Sequence, residues 1–225
     1  KERLAGAPGL LDLPADRPRP AHHGAAGARM ELAVPAPLLK QLEALGQEAG
    51  ANLLATLLTG FGTVLLRYSG CTDLVVGSVV PGRCGPGTGQ GMGRLENPVA
   101  LRFDLSGDPS FREALARVHA AVCGAWAHGE FPFEALLEEL QPERNASYAP
   151  VVQVMCILEE EPLGARVTGE LSWVPFELDN GTAKYDLVLH LSRTAEGLAA
   201  WRQYSTALFE PGRISRLAGH LLTML

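Results

Sequence analysis

The sequence lacks several features that would assign it to a membrane or nucleic-acid class. No stretch approaches the roughly 18 uninterrupted apolar residues of a membrane-spanning helix. Only three lysines stand against sixteen arginines, the formal net charge is −6 and the pI is about 5.5. A broad basic surface for nucleic acid is therefore not expected. The composition predicts neither a membrane nor a nucleic-acid partner.

Cysteine is scarce and scattered. Cys71, Cys84, Cys123 and Cys156 form no C-x-x-C pair, so the sequence predicts neither a zinc site nor a disulfide framework. The opening KERLAGAPGLL has no charged start followed by a long apolar run, which an export signal would need. We expect reduced thiols and a cytoplasmic location.

Recognisable catalytic patterns are also missing. A catalytic histidine needs an orienting carboxylate or a nucleophile, yet none of the six histidines has an acidic residue four positions later. The sequence contains no G-x-S-x-G elbow, no H-E-x-x-H and no paired Cys/His cluster. It predicts no catalytic residue and no metal ligand in this chain.

What is present is ample apolar sequence, 47% of 225 residues, in an alternating order of elements. Residues 1–26, with prolines at 8, 14, 18 and 20, are expected to be the tail of a helix and an extended linker, and residues 27–225 a folded lobe. Periodicity predicts strands at 27–34, 73–80, 99–105, 151–158, 170–177, 184–192 and 198–204, and helices at 35–50, 51–68, 109–127, 132–141 and 211–225. This order predicts an α/β fold, a mixed sheet with helices packed against it.

Several polar or glycine-rich segments favour simple structural roles. The glycine-rich loop at 81–93 lacks G-x-x-x-x-G-K-[ST] and a correctly spaced G-x-G-x-x-G, so it is expected to be a connector rather than a nucleotide site. His22 and His23 are expected to be solvated. Lys184 and Asp186, two apart on a predicted strand, are expected to form a surface pair.

The stretch 128–154 has unusually particular residue choices. Phe131-Pro132-Phe133 brackets a proline with two aromatics, and Pro132 suits the first position of a helix because its missing N–H would have no partner there. Glu134 then lies in the first turn, where the helix dipole favours a carboxylate. The stretch predicts a loop, a short helix, a second loop and a strand covered on both faces.

The order of several phrases matches one family along the whole chain. They are LAGAPGLLDLPADRPRP, LLRYSG, TDLVVGSVVPGR, DLSGDPSFREALARV, HGEFPFEALLEELQPER, PVVQVM and TAKYDLVLHLS. In this order they resemble the C-terminal lobe of a nonribosomal peptide synthetase condensation domain. The resemblance implies half of a chloramphenicol acetyltransferase-like fold.

Three family motifs are kept in part. The pattern G-x-F-V-N-T-x-x-x-R is matched at Gly93, Asn97 and Arg102, but Leu95, Glu96 and Pro98 depart from it. A second motif, Q-D-x-P-F-E after a histidine, is matched at His128, Pro132, Phe133 and Glu134. A third, R-D-x-S-R-N-P, is matched at Arg144, Ser147 and Pro150. The resemblance implies that the first two sets line a substrate channel or hold the fold, and that Arg144 and Ser147 contribute to carrier docking.

Each matched residue also has a simpler interpretation. Phe133 and its neighbours could serve the fold alone, Arg144 could pair with a nearby carboxylate, and Asn97 could belong to a turn rather than orient substrate. Phe133→Ala is expected to cost about 3–5 kcal/mol if the ring is fully buried.

The resemblance implies a function for the chain. A condensation domain joins carrier-bound thioesters by amide formation, and its H-H-x-x-x-D-G motif belongs to the N-terminal lobe. His22-His23 is not a copy, since Gly27 and Ala28 stand where Asp and Gly would be. We therefore expect an acceptor-side lobe, inactive alone, with no covalent cofactor and with substrates on phosphopantetheine arms.

The expected partners are carrier proteins and an N-terminal lobe or a second copy of the chain. An apolar face near Leu95, Pro98 and residues 128–134 should be left for that lobe. Two alternatives remain open: a degenerate binding module for a carrier protein or tailoring enzyme, and an acyltransferase half completed by a second chain.

Overall fold

The computed structural model describes residues 1–80, 96–143, 145–160, 166–174, 176 and 178–225. The glycine-rich loop 81–93, Gly93, Leu95 and Arg144 lie outside the described residues, so the predictions for them stay predictions.

The helices and strands follow the predicted order closely. The helices are α1 (Ala36–Glu48), α2 (Leu53–Ser69), α3 (Phe111–Trp126), α4 (Phe133–Leu140) and α5 (Pro211–Met224), with a 3-10 turn at Glu2–Leu4. The strands are β1 (Gly27–Pro35), β2 (Asp73–Val80), β3 (Asn97–Asp104), β4 (Val154–Glu159), β5 (Arg166–Thr168), β6 (Leu171–Trp173), β7 (Leu187–Thr194) and β8 (Gly197–Ser205).

Local signals fix the ends of the central helix, α2. The Asn52 side chain accepts a hydrogen bond from the Ala55 amide, which satisfies one of the free N–H groups at the helix start. Gly70, with φ of 70°, ends the helix in the left-handed conformation that glycine adopts without strain. Between these ends the helix is buried nearly all round, as its apolar composition predicts.

Six strands form one mixed sheet in the order β1-β8-β7-β4-β2-β3. β2, β4 and β7 run parallel to one another, whereas β1, β8 and β3 are antiparallel to their neighbours. β5 and β6 form a separate hairpin. The predicted mixed sheet with packed helices is confirmed.

The sheet has two unequal faces. Residues such as Leu74, Val76 and Leu189 belong to the large core with the helices, and we call this the helix-covered face. Their neighbours Val75 and Val188 point the other way, because successive strand side chains alternate. These belong to a small second cluster, on what we call the open face.

Two predicted strands differ from the structure. The segment predicted as one strand, 170–177, contributes only β6 to the short hairpin. β7 begins at Leu187, so Lys184 and Asp186 do not share a strand. The Asp186 side chain is only 2% exposed and is paired with Arg19 instead of Lys184. The predicted surface pair is therefore wrong, because a residue 167 positions earlier supplies the partner.

The strand after Pro150 begins later than predicted. Val151 has φ of 66°, which is incompatible with a strand, and β4 starts at Val154. Val154 and Cys156 then face the large core, whereas Met155 faces the small cluster. β4 is therefore covered on both faces, as predicted.

Residues 1–26 pack closely on the rest of the chain. Leu11 and Leu13 are buried in the large core, and Leu4 and Ala7 pack against the small cluster on the open face. The boundary between residues 26 and 27 remains a prediction. In the described part of the chain no single helix is long and apolar enough to cross a membrane; α1 and α2 pass that test only as a pair bent by 105°.

Candidate functional site

The carboxyl end of the parallel strands is the first place to look for a site, because ligands of open α/β sheets bind there. β2 ends at Val80, which pairs with Asn97 at the start of the antiparallel strand β3. Asn97 and the loop after α3 therefore lie at this end of the sheet.

The Asn97 side chain fastens the loop at 129–133 to the sheet. Its Nδ2 donates to the carbonyl oxygens of Gly129 (2.8 Å) and Phe131 (2.7 Å), and its Oδ1 accepts from the Phe133 amide (3.2 Å). Three backbone groups of one loop are thus satisfied by a single amide side chain. This arrangement fixes the entry into α4.

Close packing reinforces the loop. Gly129 is buried, and a Cβ at this position would lie 2.9 Å from Val80 Cγ1. Such a distance is too short for an undisturbed contact, so a larger residue would push the loop away from β2. Gly129 stands at the glutamine position of the family motif, and its lack of a side chain leaves room for the loop to lie against the strand.

A cleft of about 780 Å³ runs along β3 between this strand, α3 and α4. Its described lining includes Pro98, Ala100, Ala125, His128, Phe131 and Leu136. At its other end Lys1 Nζ lies 2.9 Å from Glu139 Oε2. The cleft is chiefly apolar with a charged pair at one margin, which suits an amphipathic ligand or a polypeptide segment.

The second family motif is divided between this cleft and the sheet. His128 lines the cleft and is exposed, whereas the Phe133 ring is half-buried against the small cluster of the open face. Pro132 has ψ of 133° and precedes the helix, so it occupies the cap and not the predicted first helical position. Glu134 lies exposed in the first turn, as predicted.

Arg102 is at the opposite end of β3, and all of its donors face protein oxygens. Nε and one terminal nitrogen bind both carboxylate oxygens of Asp73, at 2.9 and 2.7 Å. The remaining N–H groups meet the carbonyls of Arg3, Ala5 and Gly6. The hydrogen bond to Asp73 raises the pKa of Arg102 above its ordinary value. This geometry gives Arg102 a structural role, and the residue also lines the cleft. Its substrate-channel role stays a prediction.

Ser147 lies in a local turn. Its backbone N–H and its hydroxyl both donate to Asn145 Oδ1, at 2.9 and 2.6 Å. Its carbonyl accepts from Arg19. The carrier-docking role of Ser147 stays a prediction.

A polar cluster that the sequence did not predict surrounds the buried carboxylate of Asp186. Arg19 donates to both of its oxygens, at 3.1 and 2.6 Å, and His23 Nε2 lies 3.6 Å from Oδ1. At 3.6 Å the histidine contact is not a hydrogen bond, and Arg19 already occupies the carboxylate. His23 is half-buried rather than solvated, which corrects that prediction, but the pair does not have the geometry of a catalytic dyad.

Two cysteines of the described ranges have contrasting surroundings. Burial raises the pKa of Cys156 to about 12, so its thiolate is not formed near neutral pH. Cys123 is exposed, with its Sγ 3.2 Å from His119 Nε2 on the same helix. Within the same ranges no group of three or more His, Cys, Asp or Glu could hold a metal ion.

Asn97→Ala is expected to loosen the loop at 129–133. The substitution removes two donors and one acceptor, and each hydrogen bond contributes about 0.5–1.5 kcal/mol. Exchange of the Phe133 amide should become about tenfold faster, measured by hydrogen exchange. The matched control is Asn52→Ala, which should speed exchange at Ala55 instead. Equal exchange at Phe133 in the parent and in Asn97→Ala would contradict the proposed fastening.

Phe133→Ala is expected to cost less than full burial would predict. The ring is half-buried, so the loss in unfolding free energy should be about 1–2 kcal/mol rather than 3–5. A urea titration measures it. A loss well below 1 kcal/mol would show that the ring contributes to a binding surface and not to the fold.

Comparison with known proteins agrees with the family resemblance found in the sequence, along the whole chain. The condensation-domain family model matches residues 1–225. One of the linear gramicidin synthase polypeptides of Brevibacillus parabrevis is 43% identical over 222 residues, covering 98% of this chain and 4% of that protein. Phosphinothricin tripeptide synthetase PhsB of Streptomyces viridochromogenes is 39% identical over 228 residues, covering 100% of this chain and 19% of that protein.

Solved structures agree with the fold. The X-domain from teicoplanin biosynthesis superposes with a TM-score of 0.90 at 28% identity, covering 99% of this chain and 51% of that one. A four-domain nonribosomal peptide synthetase gives a TM-score of 0.91 at 22% identity, covering 99% of this chain and 18% of that one, which shows the fold alone. The chain thus spans about half of the solved X-domain and a small part of its curated relatives. It belongs to the condensation-domain family, and its α/β fold is of the chloramphenicol acetyltransferase-like kind.

Proposed function

We propose that this chain is the acceptor-side lobe of a condensation domain, which joins carrier-bound aminoacyl or peptidyl thioesters by forming an amide. The observation that carries the proposal is the family match over residues 1–225, in a chain that spans about half of a solved X-domain. The histidine motif that the resemblance assigns to the N-terminal lobe does not occur in this sequence. The lobe would supply one wall of the reaction channel and a carrier-docking surface.

Exposed apolar side chains support a missing covering lobe. Val167, Leu171 and Val174 around the β5–β6 hairpin are 68–76% exposed, and Phe176 and Leu178 after it are 80–83% exposed. Phe131 in the loop at 129–133 is also 51% exposed. A single contiguous exposed apolar patch is often functional, and interfaces between domains bury roughly 600–1,500 Å². The hairpin is a second exposed apolar region, besides the face predicted near Leu95, Pro98 and residues 128–134.

The proposed substrates and partners follow from this assignment. Substrates would arrive on phosphopantetheine arms of carrier proteins, and the partners would be those carriers and an N-terminal lobe. A cytoplasmic location is part of the same proposal. Asn97 would act by holding the loop that borders the cleft, and His128 and Phe131 would line it.

The test compares the chain alone with the chain supplied with the N-terminal lobe of its own synthetase. Amide formation between two carrier-bound aminoacyl thioesters is measured by mass spectrometry of the products. The chain alone should give no turnover above the uncatalysed rate, and the lobe pair should give product. Turnover by the isolated chain that is lost on mutating His22 or His23 would overturn the proposal.

Sedimentation at micromolar concentration tests separately whether the exposed apolar surface binds another lobe or a second copy of the chain. The chain should self-associate or bind the N-terminal lobe, since its apolar hairpin is uncovered. A clean monomer that binds neither the lobe nor a hydrophobic dye would contradict an uncovered interface.

A second candidate function is a binding module that recruits a tailoring enzyme. It is favoured by one comparison: a solved complex of the teicoplanin X-domain with OxyB contains a chain 29% identical to this one, with a TM-score of 0.88 and 50% of that chain covered. A lobe pair that binds a tailoring enzyme but forms no amide would favour this candidate. Activity only with a separate polypeptide carrying the histidine motif would favour an acyltransferase half completed by a second chain.

A further inference from the structure

Three polar groups lie at the amino ends of the three parallel strands. Asp73 begins β2, Gln153 immediately precedes β4, and Asp186 immediately precedes β7. Because these strands are parallel neighbours, their amino ends lie at one edge of the sheet. The segment 3–23, which we call the strap, contacts Gln153 and Asp186 directly and is joined to Asp73 through Arg102. These contacts follow the order of the three strands across the sheet.

The first anchor acts through Arg102. Its guanidinium is held by Asp73 and donates to the carbonyl oxygens of Arg3 (3.0 Å) and Ala5 (2.8 Å). Carbonyls at the end of the 3-10 turn would otherwise lack partners. The motif arginine therefore binds the start of the strap.

The second anchor is the Gln153 side chain, which is 2% exposed. Its Oε1 accepts from the Leu11 amide (2.9 Å), and its Nε2 donates to the Gly9 carbonyl (3.1 Å) and to the Ala149 carbonyl (2.7 Å). The Gln153 side chain thus accepts from one backbone amide of the strap and donates to one backbone carbonyl, as the backbone of a neighbouring β-strand would. It joins the strap to the loop before β4.

The third anchor is Asp186, which binds Arg19 through both carboxylate oxygens. The His23 amide donates to the Ala146 carbonyl at 2.6 Å. Asp186 is also tied to the second anchor, because its amide donates to the Gln153 carbonyl at 2.9 Å. The last two anchors are therefore one connected hydrogen-bond network.

Between the anchors the strap is held by buried leucines and by hydrogen bonds between Asp16 and the start of α5. Leu11 and Leu13 are 5% and 4% exposed within the large core. Asp16 Oδ2 accepts from the Glu210 amide, and its Oδ1 is 2.7 Å from Arg213 Nε in α5. The bond to the Glu210 backbone lowers the pKa of Asp16. From residue 27 the chain becomes β1, at the edge of the sheet opposite β3.

We propose that residues 3–23 form a fixed strap that closes the amino end of the parallel strands, with Arg102, Gln153 and Asp186 as its positioning residues. The strap and the rest of this lobe then move as one rigid body. If this lobe is paired with a second one, as in the proposed function, any movement between the two lobes is not taken up within residues 3–23. Asn97 lies at the carboxyl end, and Arg3, Leu4 and Arg102 form part of the wall of the cleft that runs along β3.

Hydrogen exchange of the full 225-residue chain tests the strap without any activity assay. In the parent, amides at Leu11 and His23 should exchange at least about a hundredfold more slowly than in an unfolded chain. Gln153→Met should speed exchange around Leu11 at least tenfold, and Asp186→Asn should do so around His23. Arg102→Met should loosen residues 3–7.

Two further variants keep the test decisive. Arg112→Met breaks an exposed ion pair with Glu48, which belongs neither to the strap nor to its anchors, and should leave the strap unchanged. If Asp186→Asn does not fold, Arg19→Lys keeps the charge but loses the paired geometry. Strap amides that exchange at the unfolded rate in the parent, or rates within twofold of the parent in the anchor variants, would overturn the proposal. Neither outcome bears on amide formation, so the proposed function is tested separately.

Discussion

Replacing Arg19 with methionine is expected to lower the free energy of unfolding by about 3–5 kcal/mol. Asp186 is 2% exposed, and Arg19 donates to both of its oxygens. Without Arg19 the carboxylate would remain buried with no full counter-charge, since His23 lies 3.6 Å away, beyond hydrogen-bonding distance. The loss would be a large part of the roughly 5–15 kcal/mol that a domain possesses.

A urea titration of three variants beside the parent isolates the effect. The double variant Arg19→Met/Asp186→Asn should recover part of the loss, because the uncompensated charge is removed along with its partner. Arg112→Met is the exposed control, since Arg112 and Glu48 are 60% and 64% exposed, and it should cost no more than about 1 kcal/mol. Equal losses for Arg19→Met and Arg112→Met would show that the pair around Asp186 is not a buried one.

Phe61→Ala is expected to destabilise the chain by about 3–5 kcal/mol. Phe61 lies in the middle of α2 and is 1% exposed. The truncation removes apolar area and leaves a cavity beneath the sheet, because close-packed neighbours relax only in part. α2 packs against α1, α3 and α5, so the cavity would weaken the contacts of the whole helical layer.

The same substitution at Phe131 provides the control. Its ring is 51% exposed, and Phe131→Ala should change stability by about 0.5 kcal/mol or less. The midpoint of the titration should shift strongly for Phe61→Ala with little change in slope. A shift no larger than that of Phe131→Ala would mean that α2 is not the centre of the core.

Elements with strong local signals were predictable. The cap at Asn52, the closing Gly70 and the apolar run between them define α2 closely, because each signal acts over a few positions. β2 at 73–80 has the predicted bounds for the same reason. The strand predicted at 170–177 contains only β6 of the β5–β6 hairpin, since a short exposed hairpin has little burial pattern to reveal it.

The sequence predicted which residues form the candidate site but not which groups their side chains bind. Resemblance to the family drew attention to Asn97, Arg102 and Phe133, but not to what their side chains do. Asn97 binds a loop 32–36 positions away, and Arg102 binds carbonyls 96–99 positions away. No sequence spacing encodes such partners. The test for a nearby acidic residue likewise could not place His23 beside Asp186.

The family, the order of elements and the absence of a recognisable catalytic histidine motif could all be read from the amino-acid sequence, because they rest on motifs and on local periodicity. Which polar groups are buried, and what satisfies them, became visible only in the folded chain. Burying Asp186 or Gln153 is unfavourable unless hydrogen-bond partners are present, and those partners come from the strap, more than 140 residues earlier. Such pairings exist only in a fold that places the amino ends of β2, β4 and β7 at one edge of the sheet.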